Sequence, residues 1–409
     1  MVVHNLDTNN IHDGLFSPVV VVLGIGQMIL WGITYYLPAI IIEPISLTTT
    51  WRPAEIISAF SASLFISAIV SPTIGKLIKI YSGKLIILLG LAINSAGLLL
   101  MSMAQNIVIY WLAWGLLGIG MASSLYSSAF SILTAIFGSR ARVSITNITL
   151  YGGFASTVFW PLGNYLLSLM DWRDLLLVYA CFSLILLGPA YWFCIPATVT
   201  SGERRKETSN NFSFGKKTSR TRNSILKSST FIRLASIFTI FSFINTTIAI
   251  YLIVILENFG LENVISVGLA TLIGPSQVAS RIFDRLILRK LNPLWTLIIS
   301  CFLIVSGLYL ILQDTTLIFV GLILYGAGNG LISIAKGTAP LVLFGKNDYS
   351  IISGYLQAPI LIFQSLAPIL VSFLFGLNAN GTLVLLLFVL SLLTLPLSIS
   401  LLIRNKNVN

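Results

Sequence analysis

The sequence predicts an all-α integral membrane protein with 12 transmembrane helices, arranged as two six-helix pseudo-repeats. Three observations lead there: charge is scarce, long apolar runs recur along the chain, and features of the first half return in the second. Of 409 residues only 13 are acidic and 24 basic, so 9% are charged while 56% are hydrophobic. Soluble domains carry about 25% charged residues, and this chain has too little polar surface to cover a globule of its size. A soluble enzyme, a nucleic-acid-binding module and a disordered protein are thereby excluded.

The spans follow in order. Runs long enough to cross about 30 Å of hydrocarbon fall at 19–42, 55–78, 85–104, 107–137, 143–169 and 174–195. A polar stretch follows, and the series resumes at 230–256, 263–288, 294–312, 316–343, 349–375 and 381–403. The runs are continuous and rich in Leu and Ile, without the ten-residue alternation of a membrane barrel. The expected division is an N-terminal six-helix half at 1–196, a basic linker at 197–229 and a C-terminal six-helix half at 230–409.

The bases set the orientation. Arg52 and Arg173 are the only two on odd-numbered connections. Lys76, Lys79 and Lys84 surround the second connection, and Arg140 and Arg142 the fourth. The linker region holds Arg204, Arg205, Lys206, Lys216, Lys217, Arg220, Arg222 and Lys227; Arg285, Arg289 and Lys290, then Lys346, then Arg404 and Lys406 follow later spans. Glu43, Glu55, Asp171, Asp174, Glu257, Glu262 and Asp314 collect on the other side. By the positive-inside rule both termini and the linker face the cytoplasm. The net charge of +11 is then mostly topology and calls for no nucleic-acid partner. The first residues hold Asp7 and Asp13 but no basic region of a cleaved signal peptide, so the first apolar segment is expected to remain as the insertion signal.

The halves echo each other. Phe137-Gly138 and Phe344-Gly345 are offset by 207 residues, as are Pro161 and Pro368. Glycine-rich stretches at 115–120 and 326–330 precede the two Phe-Gly pairs. Six-span repeats related along the membrane normal are a common plan of secondary transporters, with the substrate near the midplane between the halves.

Ionisable residues inside spans cost several kcal/mol unless they have a task or a partner. Arg281 in the eighth span lies about 12 Å of helix before Arg289, and Asp284 and Arg285 share its face. Its guanidinium matches a carboxylate bidentately; the alternative is a local pairing with Asp284. Lys336 in the tenth span either snorkels to the interface or assists. Gln27, Trp31 and Tyr35 form a stripe at four-residue spacing in the first span, with Tyr36 beside them, and Trp31 is mid-span. Tyr126 in the fourth span, Asn245 in the seventh and Gln277 in the eighth add neutral hydrogen-bonding groups. Gly152, Gly153, Trp160 and Pro161 mark the fifth span as a packing segment.

No phosphate-binding loop, HExxH pair or nucleophile elbow appears. Cys181, Cys194 and Cys301 have no metal spacing, and His4 and His12 lie alone in the polar N-terminal stretch. No cofactor, metal or catalytic residue is expected, and transport would be gradient-driven or passive.

The six-plus-six plan with a basic central linker resembles the major facilitator superfamily. That superfamily's loop between spans two and three reads Gly-x-x-x-Asp-Arg-x-Gly-Arg. Here Gly75 keeps the leading Gly and Lys84 the basic end, while Lys79 stands for the Asp and Ile80 for the Arg. The stretches 152–163 and 273–281 resemble bacterial members near the monocarboxylate-porter-like branch. In that branch an eighth-span Asp, followed four residues later by Arg, handles a proton and an anion. Arg281 matches the Arg; Gln277 replaces the Asp, and Ala39 stands where a first-span Lys follows a proline.

The resulting expectation is a bacterial inner-membrane transporter, acting as a monomer, that moves a small organic anion such as a monocarboxylate by alternating access. Substrate contacts are expected from Arg281, Trp31, Tyr35, Gln27, Tyr126, Lys336, Gln277 and Asn245, and gating contacts from Gly75, Lys79, Gly83, Lys84, Asp284 and Arg285. A proton is the candidate coupling ion, and the lipid bilayer the other partner. The alternatives are an exporter of drugs, siderophores or other bulky amphiphiles on the same fold, and a non-transporting membrane sensor or enzyme.

Overall fold

The computed structural model describes residues 17–196, 225–288, 291–313, 315–375 and 381–406. His4, Asp7, His12 and Asp13, most of the linker bases (Arg204 to Arg222), Arg289, Lys290 and Asp314 lie outside the described residues, as does the Lys406 side chain. The described residues are almost entirely helical and contain no strand.

The first six spans are built as follows. Helices α1 (Pro18–Ile33) and α2 (Pro38–Thr48) make span one, α3 (Pro53–Ile80) span two and α4 (Gly83–Ser102) span three. Span four is α5 (Ile107–Ser124) with α6 (Tyr126–Phe137), span five α7 (Ala141–Gly152) with α8 (Ala155–Leu167), and span six α9 (Trp172–Cys194). The second series comprises α10 (Ser229–Asn258), α11 (Asn263–Ala270) with α12 (Ile273–Leu286), α13 (Pro293–Gln313), α14 (Thr315–Phe344), α15 (Tyr349–Phe375), and α16 (Gly381–Leu392) with α17 (Thr394–Lys406). Among the described residues ten segments are long and apolar enough to cross a membrane uninterrupted or nearly so; spans five and eight complete the twelve as pairs of shorter helices.

Local chemistry explains the helix ends. Pro18, Pro38 and Pro53 occupy the first position of their helices, where a missing N–H costs nothing. Side chains of Ser82, Asn106 and Ser228 accept the amides of Leu85, Ile109 and Phe231, satisfying donors that a helix start leaves orphaned. The two Phe-Gly pairs end spans four and ten, and both glycines take positive φ, 59° at Gly138 and 74° at Gly345. This left-handed requirement is the physical content of that repeat.

Five spans are interrupted, and three of the interruptions are written in proline. A proline cannot donate to the carbonyl four residues earlier, and its ring crowds that carbonyl. Pro38 points back to Thr34, where α1 has just ended; Pro275 to Thr271, just after α11; Pro396 to Leu392, the last residue of α16. The interruptions at Leu125 and at 153–154 have no such proline. At Leu125 the backbone is extended, with ψ of −168°.

Glycines set the distances between helices. A Cβ on Gly118 would collide with the Ser63 carbonyl of α3, and one on Gly120 with the Asn94 side chain of α4. In the second series a Cβ on Gly326 would lie 2.8 Å from the Ile273 carbonyl of α12, and one on Gly328 2.5 Å from Ile304 of α13. Gly118 and Gly326 thus do the same work towards spans two and eight, Gly120 and Gly328 towards spans three and nine. Yet 17 residues separate Gly120 from Phe137 and 16 separate Gly328 from Phe344. Span four carries one residue more than span ten, and that span, unlike the continuous α14, is broken at Leu125.

Apolar side chains are plentiful on both sides of the helices. Leu23, Leu30, Trp114 and Leu117 are fully buried, whereas Ile185, Phe193 and Phe373 are more than 70% exposed. Such an exterior suits hydrocarbon. The residues group into two compact units, one of Met1–Glu207 with Phe344–Ala358 and the other of Thr208–Leu343 with Pro359–Asn409. Within the first, α4 packs on α5 and α9, α3 on α5, and α1 on α7; within the second, α13 packs on α16 and α17.

The glycine contacts are testable. Gly118→Val drives a branched side chain into backbone and is expected to cost about 1–3 kcal/mol, the usual range for overpacking. Gly115→Ala, whose Cβ would meet only Ile66 Cδ1 at 3.5 Å, is expected to be neutral. Thermal midpoints in detergent compare the two.

Candidate functional site

In the first unit the interruptions of spans one and four gather aromatic rings around Trp31. Its ring centre lies 4.9 Å from Tyr35, 6.1 Å from Tyr36 and 5.1 Å from Tyr126. Tyr35 reaches Phe60 of α3 at 5.6 Å, and Tyr36 reaches Trp160 of α8 at 5.8 Å. Pairs at such distances and angles contribute about 0.5–1.5 kcal/mol each beyond burial. Tyr126 starts α6, and its hydroxyl lies so close over Gly152 that no Cβ would fit there. The Trp31 indole N–H is buried without a hydrogen-bond partner among the described residues, which leaves a donor within an otherwise aromatic wall.

One turn before Trp31, Gln27 is fully buried. Its Nε2 donates to the Ser124 carbonyl at 2.8 Å. That carbonyl ends α5, where the extended Leu125 removes the next helical turn. Asn94 Nδ2 donates to Ser124 Oγ at 2.9 Å, and Ser124 Oγ donates to the Gly120 carbonyl at 2.8 Å. Gln27 therefore holds the broken helix with its amide nitrogen. Its Oε1, together with Asn94 Oδ1 and both amide atoms of Asn147, is buried and unpartnered among the described residues.

In the second unit α14 presents a polar face. Tyr325, Asn329, Ser333 and Lys336, spaced four, four and three apart, lie on one side of the helix. Asn329 Nδ2 donates to Asn245 Oδ1 at 2.6 Å, and the Tyr325 hydroxyl donates to the same oxygen at 3.4 Å. Arg281 is 6% exposed; its Nε donates to Ser333 Oγ at 3.3 Å, while its Nη1 is buried with no partner among the described residues. Arg281 and Asp284 form no ion pair within 4.0 Å, so the local pairing considered from sequence is absent among the described residues. Asp284 is fully buried and accepts the Thr296 hydroxyl of α13 at 2.7 Å. Gln277 contributes its backbone carbonyl to the approach of Gly330, whose Cβ would lie 2.5 Å away. Arg285 is partly exposed.

The loop residues divide. In the first unit Lys79 Nζ pairs with Asp348 at 2.5 Å, and Lys76 stands 5.5 Å from the centre of the Tyr355 ring. Gly75 has no room for a Cβ beside the Ser350 carbonyl, and one on Gly354 would lie 2.5 Å from the Ser71 carbonyl. Ser127 and Ser353 hydroxyls are 3.0 Å apart. Lys84 instead donates to the Trp192 carbonyl and stands 5.1 Å from that ring's centre. Gly83 packs against Ile132 of α6. A crevice of about 390 Å³ lined by Ile66, Leu100, Leu112, Gly115, Leu116 and Ile119 is almost wholly apolar; none of these is a candidate contact.

Trp31, Tyr35 and Tyr126 thus come together in one unit, and Arg281, Lys336 and Asn245 lie on or beside one helix face in the other. Sequence reading passed over Ser124, Asn94, Phe60, Asn329, Ser333 and Asp348. The spacing of Tyr325, Asn329, Ser333 and Lys336 was the one available signal for the α14 face.

A family model described as Major Facilitator Superfamily matches residues 22–358. No curated protein matches the sequence. Among solved structures, the human organic anion transporter MFSD10 superposes with a TM-score of 0.70 at 14% identity, covering 93% of this chain and 99% of its own. The fucose:proton symporter FucP of E. coli gives 0.66 at 16% identity, covering 94% and 99%. The proton:xylose symporter XylE gives 0.67 at 13% identity, covering 92% and 94%. At these identities the likeness concerns the fold.

Gln27→Leu strips the donor from the Ser124 carbonyl and is expected to cost about 1–3 kcal/mol, the penalty for a buried acceptor left unmade; the thermal midpoint reads it. Around 344–358 the glycine contacts should outweigh the ion pair, whose partners are 32% and 38% exposed and which is worth at most about 1 kcal/mol. Gly75→Val is expected to raise thiol labelling at a Ser353→Cys position far more than Asp348→Asn does.

Proposed function

The chain belongs to the major facilitator superfamily, and we propose that it is a secondary active or facilitative transporter of a small organic anion, working by alternating access. The observation that carries this reading is Arg281: a guanidinium 6% exposed within a membrane span, held at Nε by Ser333, with Nη1 unpartnered. A cation so placed costs several kcal/mol unless an anion compensates it, and a carboxylate suits its planar donors. A monocarboxylate is the smallest substrate of this kind.

Gln277 and Ala39 do not ionise, so a proton coupled to transport would have to bind elsewhere. The distribution of bases supports both termini in the cytoplasm, and the resemblance of 152–163 and 273–281 to bacterial members supports a bacterial inner membrane, with the protein acting as a monomer. The aromatic cluster also favours a second reading, an exporter of bulky amphiphiles, in which Trp31 matters more than Arg281.

Proteoliposome flux of labelled small acids separates the readings. Arg281→Ala is expected to lower acid uptake about a hundredfold, the equivalent of losing a charged hydrogen-bond contact of about 3 kcal/mol, with the thermal midpoint preserved. Unchanged acid kinetics, or flux of amphiphiles that depends on Trp31 alone, would overturn it.

A further inference from the structure

We propose that Lys336 is a second anion contact, and that the substrate is a small dianion of the dicarboxylate class, with one acid group on Arg281 and the other on Lys336. The proposal rests on the organic-anion reading and adds the substrate's charge and length.

The argument starts from how α14 uses its faces. Gly326 and Gly330 turn to α12 and Gly328 to α13, each where a Cβ would meet a neighbour within 2.8 Å. Packing is thereby assigned to two sides; the strip between them carries Tyr325, Asn329 and Lys336, with Ser333 at its edge towards α12. Along it Tyr325 and Asn329 are satisfied by Asn245, and Ser333 takes Arg281 Nε. Lys336 alone on this face has no hydrogen bond or ion pair among the described residues. It is partly buried, in a segment apolar enough to cross a membrane.

Two positive charges therefore share one neighbourhood of the second unit with no acid paired to either. Asp284, the nearest acid in sequence, is directed to Thr296 of α13. The other described acids of this unit, Glu257 and Glu262, lie at the end of α10 and in the turn beyond it. In an apolar environment an uncompensated charge is expensive, and two are more so. The chain supplies no described counter-charge, so compensation falls to what it binds. One carboxylate, held bidentately by Arg281, neutralises one of them.

Spacing narrows the class. Ser333, which marks the guanidinium, and Lys336 are separated by about 4.5 Å of helical rise, and the lysine stem extends the reach further. Two acid groups joined by a short carbon chain fit this separation better than a compact dianion such as sulfate.

The test uses full-length protein with butyrate, sulfate, malonate, succinate, glutarate and adipate, by calorimetric binding and by proteoliposome uptake. Wild type is expected to bind its best dicarboxylate at least about tenfold more tightly than butyrate, with an optimum at intermediate chain length. Lys336→Gln is expected to lower dicarboxylate affinity about tenfold, the scale of one charged contact, while leaving butyrate within about twofold. Arg281→Gln is expected to weaken both. The wild-type ratio needs no variant and stands if Lys336→Gln fails to fold. Equal binding of butyrate and dicarboxylates, with Lys336→Gln silent, would overturn the dianion proposal and leave the organic-anion reading standing. Preference for sulfate would overturn the dicarboxylate class. Failure of wild type to bind or move any of these acids would overturn both.

Discussion

In hydrocarbon every backbone N–H and C=O must find its partner inside the protein, and this requirement governs where the spans can break. An unbroken helix meets it automatically. Each interruption leaves carbonyls and amides that some other group must take up, so breaks are confined to places where the chain can supply one. At Ser124 the supply is Gln27, which reaches from span one to cap span four. At Thr34 it is local: the threonine's own hydroxyl donates to the Leu30 carbonyl at 2.5 Å. The aromatic cluster of the first unit exists because Trp31, Tyr35, Tyr36 and Tyr126 sit at such breaks, where rings can leave the helix surface and meet.

Glycine solves the complementary problem of bringing continuous helices close enough to exclude lipid. Association in a bilayer relies on van der Waals contact and short approach rather than on the hydrophobic effect. Gly307 and Gly321 illustrate it, since a Cβ on either would lie within 2.8 Å of the other's carbonyl. The same pairing of spans occurs in both series, but the extra residue between Gly120 and Phe137 cannot be accommodated by a regular helix without rotating everything after it by about 100°. The extended Leu125 absorbs it. One half thus carries a broken fourth span with rings at the break, and the other a continuous tenth span with a polar face.

Much of this was legible in the amino-acid order. Spans follow from apolar length, three of the five breaks from Pro38, Pro275 and Pro396, and the turns after spans four and ten from the glycines of the Phe-Gly pairs. The stripe of Gln27, Trp31 and Tyr35 was visible as periodicity. The role of Gln27 was not: it clamps a helix end, and this depends on Ser124, which lies 97 residues away. The break at Leu125 carries no local signal and emerges only when the two repeats are counted against each other. Lys84 and Lys79 look alike in the loop, yet one goes to Trp192 and the other to Asp348. Small neutral residues such as Ser333 and Asn94 are as suitable for packing as for binding, and only their partners distinguish the two.

The polar groups of the two units obey different rules, and this divides their roles. In the first unit Gln27 Oε1, Asn94 Oδ1, both amide atoms of Asn147 and the Trp31 N–H are unpartnered and neutral among the described residues; Arg142, whose Nε is also unpartnered, has another interaction. Burying a neutral amide atom without a partner costs about 1–3 kcal/mol, which dense packing can offset, so these atoms demand nothing from outside. In the second unit Arg281 cannot shed its charge, and its only described partner is a hydroxyl. Packing cannot offset that deficit; it needs a counter-charge. On the organic-anion proposal the neutral groups around Trp31 need no substrate to satisfy them, whereas an anion would complete the face of α14, and selection for charge would belong to that face.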